Sequence, residues 1–230
     1  MIPASALHQL DNIAWHTLTG PHARFASGSG DARRYAQGYP PIVGFRDPER
    51  PDFAALLPWS EPGEHVYCGG WSGPEPAGWR IEADTLMYQM IWDAGTPARD
   101  EVPEAVRLGP AHVDEVLALI DIALPGPFGP RNVDLGEYFG VFEDGQLVAM
   151  AGERLCAGAL REISAVATRP EHRGRGHAQR LMRKLIRREM QRGEIPFLHV
   201  LKDNAGAHAL YLKMGFRNHA ELPVRVLVRT

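Results

Sequence analysis

Apolar residues between positions 177 and 192 fall at Leu181, Met182, Leu185, Ile186 and Met190, with basic residues between them. Spacings of three and four predict a helix with one core-facing stripe, running to about Arg192 and closed by Gly193. Ala111 to Leu124 repeats the pattern through Val113, Val116, Leu117 and Ile120. Strand-like runs lie between these helices. Glu137–Glu143 and Gln146–Arg154 flank Asp144-Gly145, a two-residue hairpin signal. Leu160–Thr168 reads as a third strand and Phe197–Leu201 as a buried one. Asn204–Met214 reads as a helix stopped by Gly215, and Phe216–Arg229 ends in the alternation Val224, Val226, Val228. The order is helix, hairpin, strand, glycine turn, helix, strand, helix, strand. It predicts a mixed α/β layer built around a crossover.

The first hundred residues are less regular. Leu10, Ile13, Ala14 and Leu18 suggest one amphipathic helix within Leu7–Phe25, ended by Gly20-Pro21. Ala26–Pro62 is rich in Gly, Pro, Arg and Asp, with short apolar islands such as Ile42–Phe45. Val66–Gly78 reads as turn-rich, and Leu86–Trp92 as a buried strand. Asp93–Pro103 reads as a linker, which divides the chain into a region 1–97 and a region 104–230.

The composition is that of an ordinary globular protein, with 44% hydrophobic and 23% charged residues in 230. No apolar run approaches the roughly 20 residues of a membrane span. Met1–Ser5 lacks the basic and apolar segments of a signal peptide. Cys68 and Cys156 are far apart, so neither a disulfide framework nor a metal site is expected, and the cytoplasm is the default location. The net charge of −3 is uneven: residues 1–97 carry 6 basic and 11 acidic side chains, whereas Arg169–Arg192 carries nine basic and two acidic ones. The acidic part could line a site for a cationic substrate, but reads by default as solvated surface. A nucleic-acid binder is usually basic throughout and interleaves aromatics with its arginines; neither holds here, so no nucleic-acid partner is expected.

The positive charge surrounds Arg173-Gly174-Arg175-Gly176-His177-Ala178, an R-x-x-G-x-A run between a strand and a helix. Glycines admit a ligand close to the backbone, and the unpaired N–H groups of a helix N-terminus favour an anion. The same six residues also suit a plain tight connection with solvated arginines. The third glycine of a dinucleotide fold is missing, and so is the G-K-[ST] of a P-loop.

A second segment narrows the choice. Asn204, Ala207, Tyr211 and Gly215-Phe216 follow the next strand as N-x-x-A-x-x-x-Y-x-x-x-G-F. With the R-x-x-G-x-A turn and the run Glu162–Val166, residues 104–230 closely resemble the GNAT superfamily of acetyl-CoA-dependent N-acetyltransferases. Glu162–Val166 and Pro196–Val200 look most like its glycine N-acyltransferase-like branch. The resemblance implies a mixed central sheet flanked by helices. The region 1–97 has a length that suits a degenerate second copy of that fold. It also implies acetyl-CoA as co-substrate, a small amine or amino acid as acceptor, and direct attack without an acyl-enzyme. It leaves room for a homodimer.

The resemblance further assigns residues. The amides around Arg173, Gly174, Arg175, Gly176, His177 and Ala178 would hold the CoA pyrophosphate. Val166 and Ala167 would pair with the pantetheine arm, with the Val166 N–H as oxyanion donor. Asn204 would contact CoA, cap its helix, or both. Tyr211 would give a proton to the departing thiolate. Glu162 is the candidate base; strict alternation would place it on one strand face with Ser164 and Val166, and a structural ion pair is its other reading. Glu153 is a weaker candidate. His199 reads as packed in its strand, Cys156 lacks a His/Asp arrangement for covalent catalysis, and Arg187 and Arg188 read as solvated surface. The loop from Pro125 to Tyr138 would border the acceptor pocket. A non-catalytic CoA-binding sensor is the alternative, disfavoured by Tyr211.

Overall fold

The computed structural model describes residues 2–230, so Met1 of the stretch read for a signal peptide lies outside the described residues. The chain opens with α1 (Ala4–Asp11) and α2 (Ile13–Thr19), where the sequence suggested one helix. Asn12 breaks it: its backbone leaves the helical region, and its side-chain amide donates to the Phe45 carbonyl at 2.8 Å. Three short strands, β1 (Ala26–Ser27), β2 (Ala32–Tyr35) and β3 (Val43–Phe45), form a small antiparallel sheet. Then come β4 (His65–Gly69), which overlaps the stretch read as turns, and β5 (Trp79–Trp92), twice the length of the strand read from Leu86–Trp92.

The remainder follows the expected order. It comprises β6 (Val106–Leu108), α3 (Val113–Ala123), β7 (Tyr138–Glu143), β8 (Gln146–Ala157) and β9 (Leu160–Thr168). Next are α4 (His177–Gln191), β10 (Ile195–Leu201), α5 (Ala205–Met214) and β11 (Phe216–Arg229). Asp144 and Gly145 join β7 to β8 with φ of 49° and 78°, the two positive φ angles of a type I′ hairpin turn.

Eight strands form the main sheet in the order β4-β11-β5-β10-β9-β8-β7-β6. The β9–α4–β10 crossover supplies its parallel pair. α4 and α5 cover one face, where Leu181, Met182, Leu185, Ile186, Tyr211 and Met214 pack on Ile163, Leu198 and Met90. The stripe read from the sequence is therefore the core contact of α4. The other face is covered by α1 and α2 through Leu10, Ile13 and Leu18 against Leu160 and Phe197. Beside them lies α3, through Val116, Leu119 and Ile120 against Met150 and Ala167.

The sheet crosses the expected division between 1–97 and 104–230. β5, from the first region, lies between β10 and β11 and pairs with both. The first region thus completes the sheet of the second. The linker is also docked. Arg187 donates to the Pro97 and Ala98 carbonyls at 2.6 and 3.0 Å, Arg183 pairs with Glu101 at 2.8 Å, and Lys184 pairs with Asp100. Arg187, read as solvated surface, holds a strap across α4, while Arg188 binds the Glu137 carboxylate through two hydrogen bonds of 2.6 and 2.7 Å.

Candidate active site

The site begins where two strands part. β9 and β10 pair only from Leu160↔Ile195 to Glu162↔Phe197. Beyond that, β10 follows β5 as far as Leu201, leaving an opening beside Ile163–Thr168. β9 also loosens on its other side: its register with β8 shifts between Ser164↔Gly152 and Ala167↔Met150, so Ala165 and Val166 have no partner there. Ala165 takes φ +52°, a left-handed conformation in mid-strand that marks a bulge and stores strain. The extra residue overturns the strict alternation expected along β9. Val166 packs with Ile163 on the α4 face, while Ala165 and Ala167 face α3. Glu162 lies on the opposite face from Val166.

The glycine turn closes one end of this opening. Gly174 and Gly176 have φ of 76° and 79°, which L residues adopt at a cost, and a Cβ built on either meets open space. The first helical hydrogen bond of α4 runs from the Arg180 N–H to the Gly176 carbonyl at 3.1 Å. The N–H groups of Gly174 through Gln179 bond to no described residue, so six unpaired backbone donors gather at the positive end of a 15-residue helix, a setting that favours an anion. Glu143 braces the turn. Its carboxylate lies 3.2 Å from Arg175, 3.2 Å from His172 and 3.4 Å from the buried imidazole of His177. Burial, with the Arg180 charge adding, holds His177 below its ordinary pKa. The Arg173 guanidinium donates to the Thr168 carbonyl at 3.3 Å. Arg173 and Arg175 are thus partly held by protein groups.

Tyr211 lies on α5, on the same face as Val166. Burial among apolar neighbours pushes its phenol up to about 12, so it keeps its proton at neutral pH. Asn204 accepts the Ala207 N–H at 3.1 Å and caps α5.

Glu162 is fully buried and fully engaged. Arg154 grips both carboxylate oxygens at 2.9 and 2.8 Å, the Leu155 N–H donates at 3.1 Å, and the His199 Nδ1 lies at 2.8 Å. Against the cost of burial, Arg154 and then His199 hold the carboxyl far below the carboxylate range. His199, read from the sequence as a packed residue, is therefore bonded to the candidate base. No signal in the sequence marked this pair, because a shared face across two strands depends on how they pair. Only the register shows that they meet.

Glu153 is bound by Arg192 at 2.6 Å and accepts the Glu137 N–H at 3.0 Å, on the face turned toward α4. The Cys156 Sγ lies 3.3 Å from His22 Nε2, but burial pushes the thiol up and the imidazole down to about 4, so neither is charged at neutral pH. The Gly38 carbonyl accepts the Arg131 N–H at 2.9 Å, and Arg131 stacks over Tyr39 at 4.5 Å. The N-terminal region thereby fixes the loop between α3 and β7.

The parted parallel pair, the bulged strand and the free amides at a helix N-terminus form one site on a mixed sheet flanked by helices, and comparison with known proteins identifies the family. Residues 114–216 match the acetyltransferase (GNAT) family model. A Novosphingobium aromaticivorans protein assigned to the GNAT family as an acetyltransferase is similar at 36% identity and TM-score 0.89, over 97% of this chain and 99% of that one. The chain belongs to the GNAT family. The fold is also that of a GCN5-related N-acetyltransferase-like protein from Streptococcus suis, at 17% identity, TM-score 0.61, and 96% and 97% coverage. It is shared as well by a GCN5-related N-acetyltransferase from Kribbella flavida, at 16% identity, TM-score 0.58, and 94% coverage of both chains. No curated protein matches the chain in sequence.

Proposed function

We propose that this chain transfers an acetyl group from acetyl-CoA to a primary amine of a small molecule or amino acid by direct attack. The six free N–H groups from Gly174 to Gln179, at the end of the β9–β10 opening, carry the reading. The CoA pyrophosphate sits on these amides, and Arg173, Arg175 and His177 lend the turn positive or polar lining. The amide-bearing pantetheine arm supplies the partners that β9 lacks at Val166 and Ala167. The Val166 N–H stabilises the oxyanion, since a donor fixed in place before reaction needs no reorganisation. Tyr211, protonated at neutral pH, donates to the departing thiolate. Asn204 sets the start of α5 and thereby the position of Tyr211.

Acetyl-CoA raises the melting temperature under this reading, and Gly176→Trp abolishes the shift by filling the open space. No stabilisation by any acyl-CoA sinks the cofactor assignment. An amine and amino-acid panel read by free thiol release identifies the acceptor; amino acids belong on it because of the glycine N-acyltransferase-like resemblance. The sensor reading predicts stabilisation without thiol release. Tyr211, a buried acid beside the opening, favours catalysis.

A further inference from the structure

We propose that His199 is the residue that takes the acceptor's proton, with Glu162, Arg154 and Gln89 positioning its imidazole. This rests on the acyltransferase reading above and goes beyond it in assigning the base.

Glu162 cannot easily do that work itself. Its oxygens are occupied by Arg154, by the Leu155 N–H and by His199, and no part of it reaches solvent. A carboxylate so neutralised is a poor proton acceptor, but it is a good orienting group. Its oxygen lies 2.8 Å from His199 Nδ1.

The other imidazole nitrogen fixes the tautomer. Gln89 Nε2 lies 3.0 Å from His199 Nε2 and 3.1 Å from the Leu10 carbonyl. An amide nitrogen only donates. With one hydrogen directed at Leu10, the other is directed at the imidazole, so His199 Nε2 accepts and Nδ1 carries the hydrogen toward Glu162. This is the arrangement of a carboxylate-oriented base, with its lone pair directed at a neutral donor.

The position is also suitable. His199 lies two residues past Phe197, the last residue of β10 paired with β9, and so at the opening. Its side chain is 10% exposed. The groups around it are accounted for: the Glu162–Arg154 pair from β9 and β8, Gln89 from β5, and Leu10 from α1. The phenols of Tyr35 on β2 and Tyr138 on β7 flank that pair, and burial pushes both up so that they are neutral. An imidazolium formed here meets one carboxylate already shared with Arg154.

The step balances. The acceptor ammonium gives a proton to His199 Nε2, and the freed amine attacks the thioester carbon. The C–N bond forms, the C–S bond breaks, and the thiolate takes the phenol proton of Tyr211. The proton shed by the new amide nitrogen returns through solvent to the tyrosinate, and His199 releases its own to solvent.

His199→Gln separates catalysis from structure, because the glutamine amide can donate to Glu162 and accept from Gln89 while offering no basic lone pair. The expected result is a normal melting temperature, normal stabilisation by acetyl-CoA, a turnover loss of about 10²–10⁴-fold, and loss of the ascending limb of kcat/KM against pH. Turnover within about threefold of wild type, with the limb intact, overturns the proposal. If the variant melts early, the wild-type protein decides. The ¹⁵N titration of His199 must coincide with that limb, and a mismatch overturns the assignment. A wild-type chain that releases thiol from no acyl-CoA defeats the underlying reading instead.

Discussion

Arg154 and Glu162 meet through two parallel hydrogen bonds of 2.9 and 2.8 Å inside the sheet, with the carboxylate wholly buried. Removing one member of such a pair leaves an uncompensated charge and costs about 3–5 kcal/mol. Glu162→Gln is expected to lose stability on that scale at pH 7, measured by urea unfolding. Its folded pKa lies below the ordinary 4.5, so its contribution is complete above that value and is lost as pH falls beneath it. The wild-type advantage over Glu162→Gln should therefore shrink below about pH 4.5; a constant difference down to pH 3 contradicts the pairing.

Glu189 is the opposite case. It is fully buried on α4, neither carboxylate oxygen has a partner, and burial followed by Glu153 raises its pKa well above 4.5. The folded chain therefore holds a proton that the unfolded chain releases, and stability is lost as pH rises above about 4.5. Glu189→Gln should melt higher than wild type at pH 8 and show a smaller gain at pH 5. A gain independent of pH contradicts a protonated Glu189.

Gly176→Ala tests the turn more gently than tryptophan. At φ 79° an alanine is strained by about 1 kcal/mol, and its methyl enters the open space. Acyl-CoA affinity should fall about tenfold or more by calorimetry, with the fold retained. Unaltered affinity removes the turn from the binding site.

Tyr211→Phe keeps the apolar packing of α5 and deletes the proton. Turnover should drop while the acetyl-CoA dissociation constant stays near wild type, because the phenol acts on the leaving group in the proposed mechanism. Equal turnover removes the acid role.

A fragment of residues 98–230 should not fold. It lacks β5, so β10 and β11 lose the strand between them and expose unpaired edges. A cooperative melting transition in that fragment shows an independent domain.

The amphipathic stripe of α4, the Asp144-Gly145 hairpin, β9, and the glycines closing α4 and α5 were all legible, because they depend on neighbours within a few residues. So was the family resemblance, carried by Arg173–Ala178, Asn204 and Tyr211. The short strand β6 and the first half of β5 were not. β6 has three residues, and the first half of β5 alternates around exposed positions with little apolar signal. Nor could the sequence show that β5 inserts between β10 and β11, since strand order depends on contacts more than a hundred residues apart.

Sequence by itself determined the local elements and the chemical types available at the glycine turn, at Glu162 and at Tyr211. Tertiary structure alone decided which of them lie together. One extra residue at Ala165 turns Val166 to the α4 face and leaves Glu162 on the other. The parting of β9 and β10 sets His199 beside that carboxylate. A strand's period of two fixes the face of each side chain only until a bulge resets it, and strand neighbours are chosen by packing across the whole sheet.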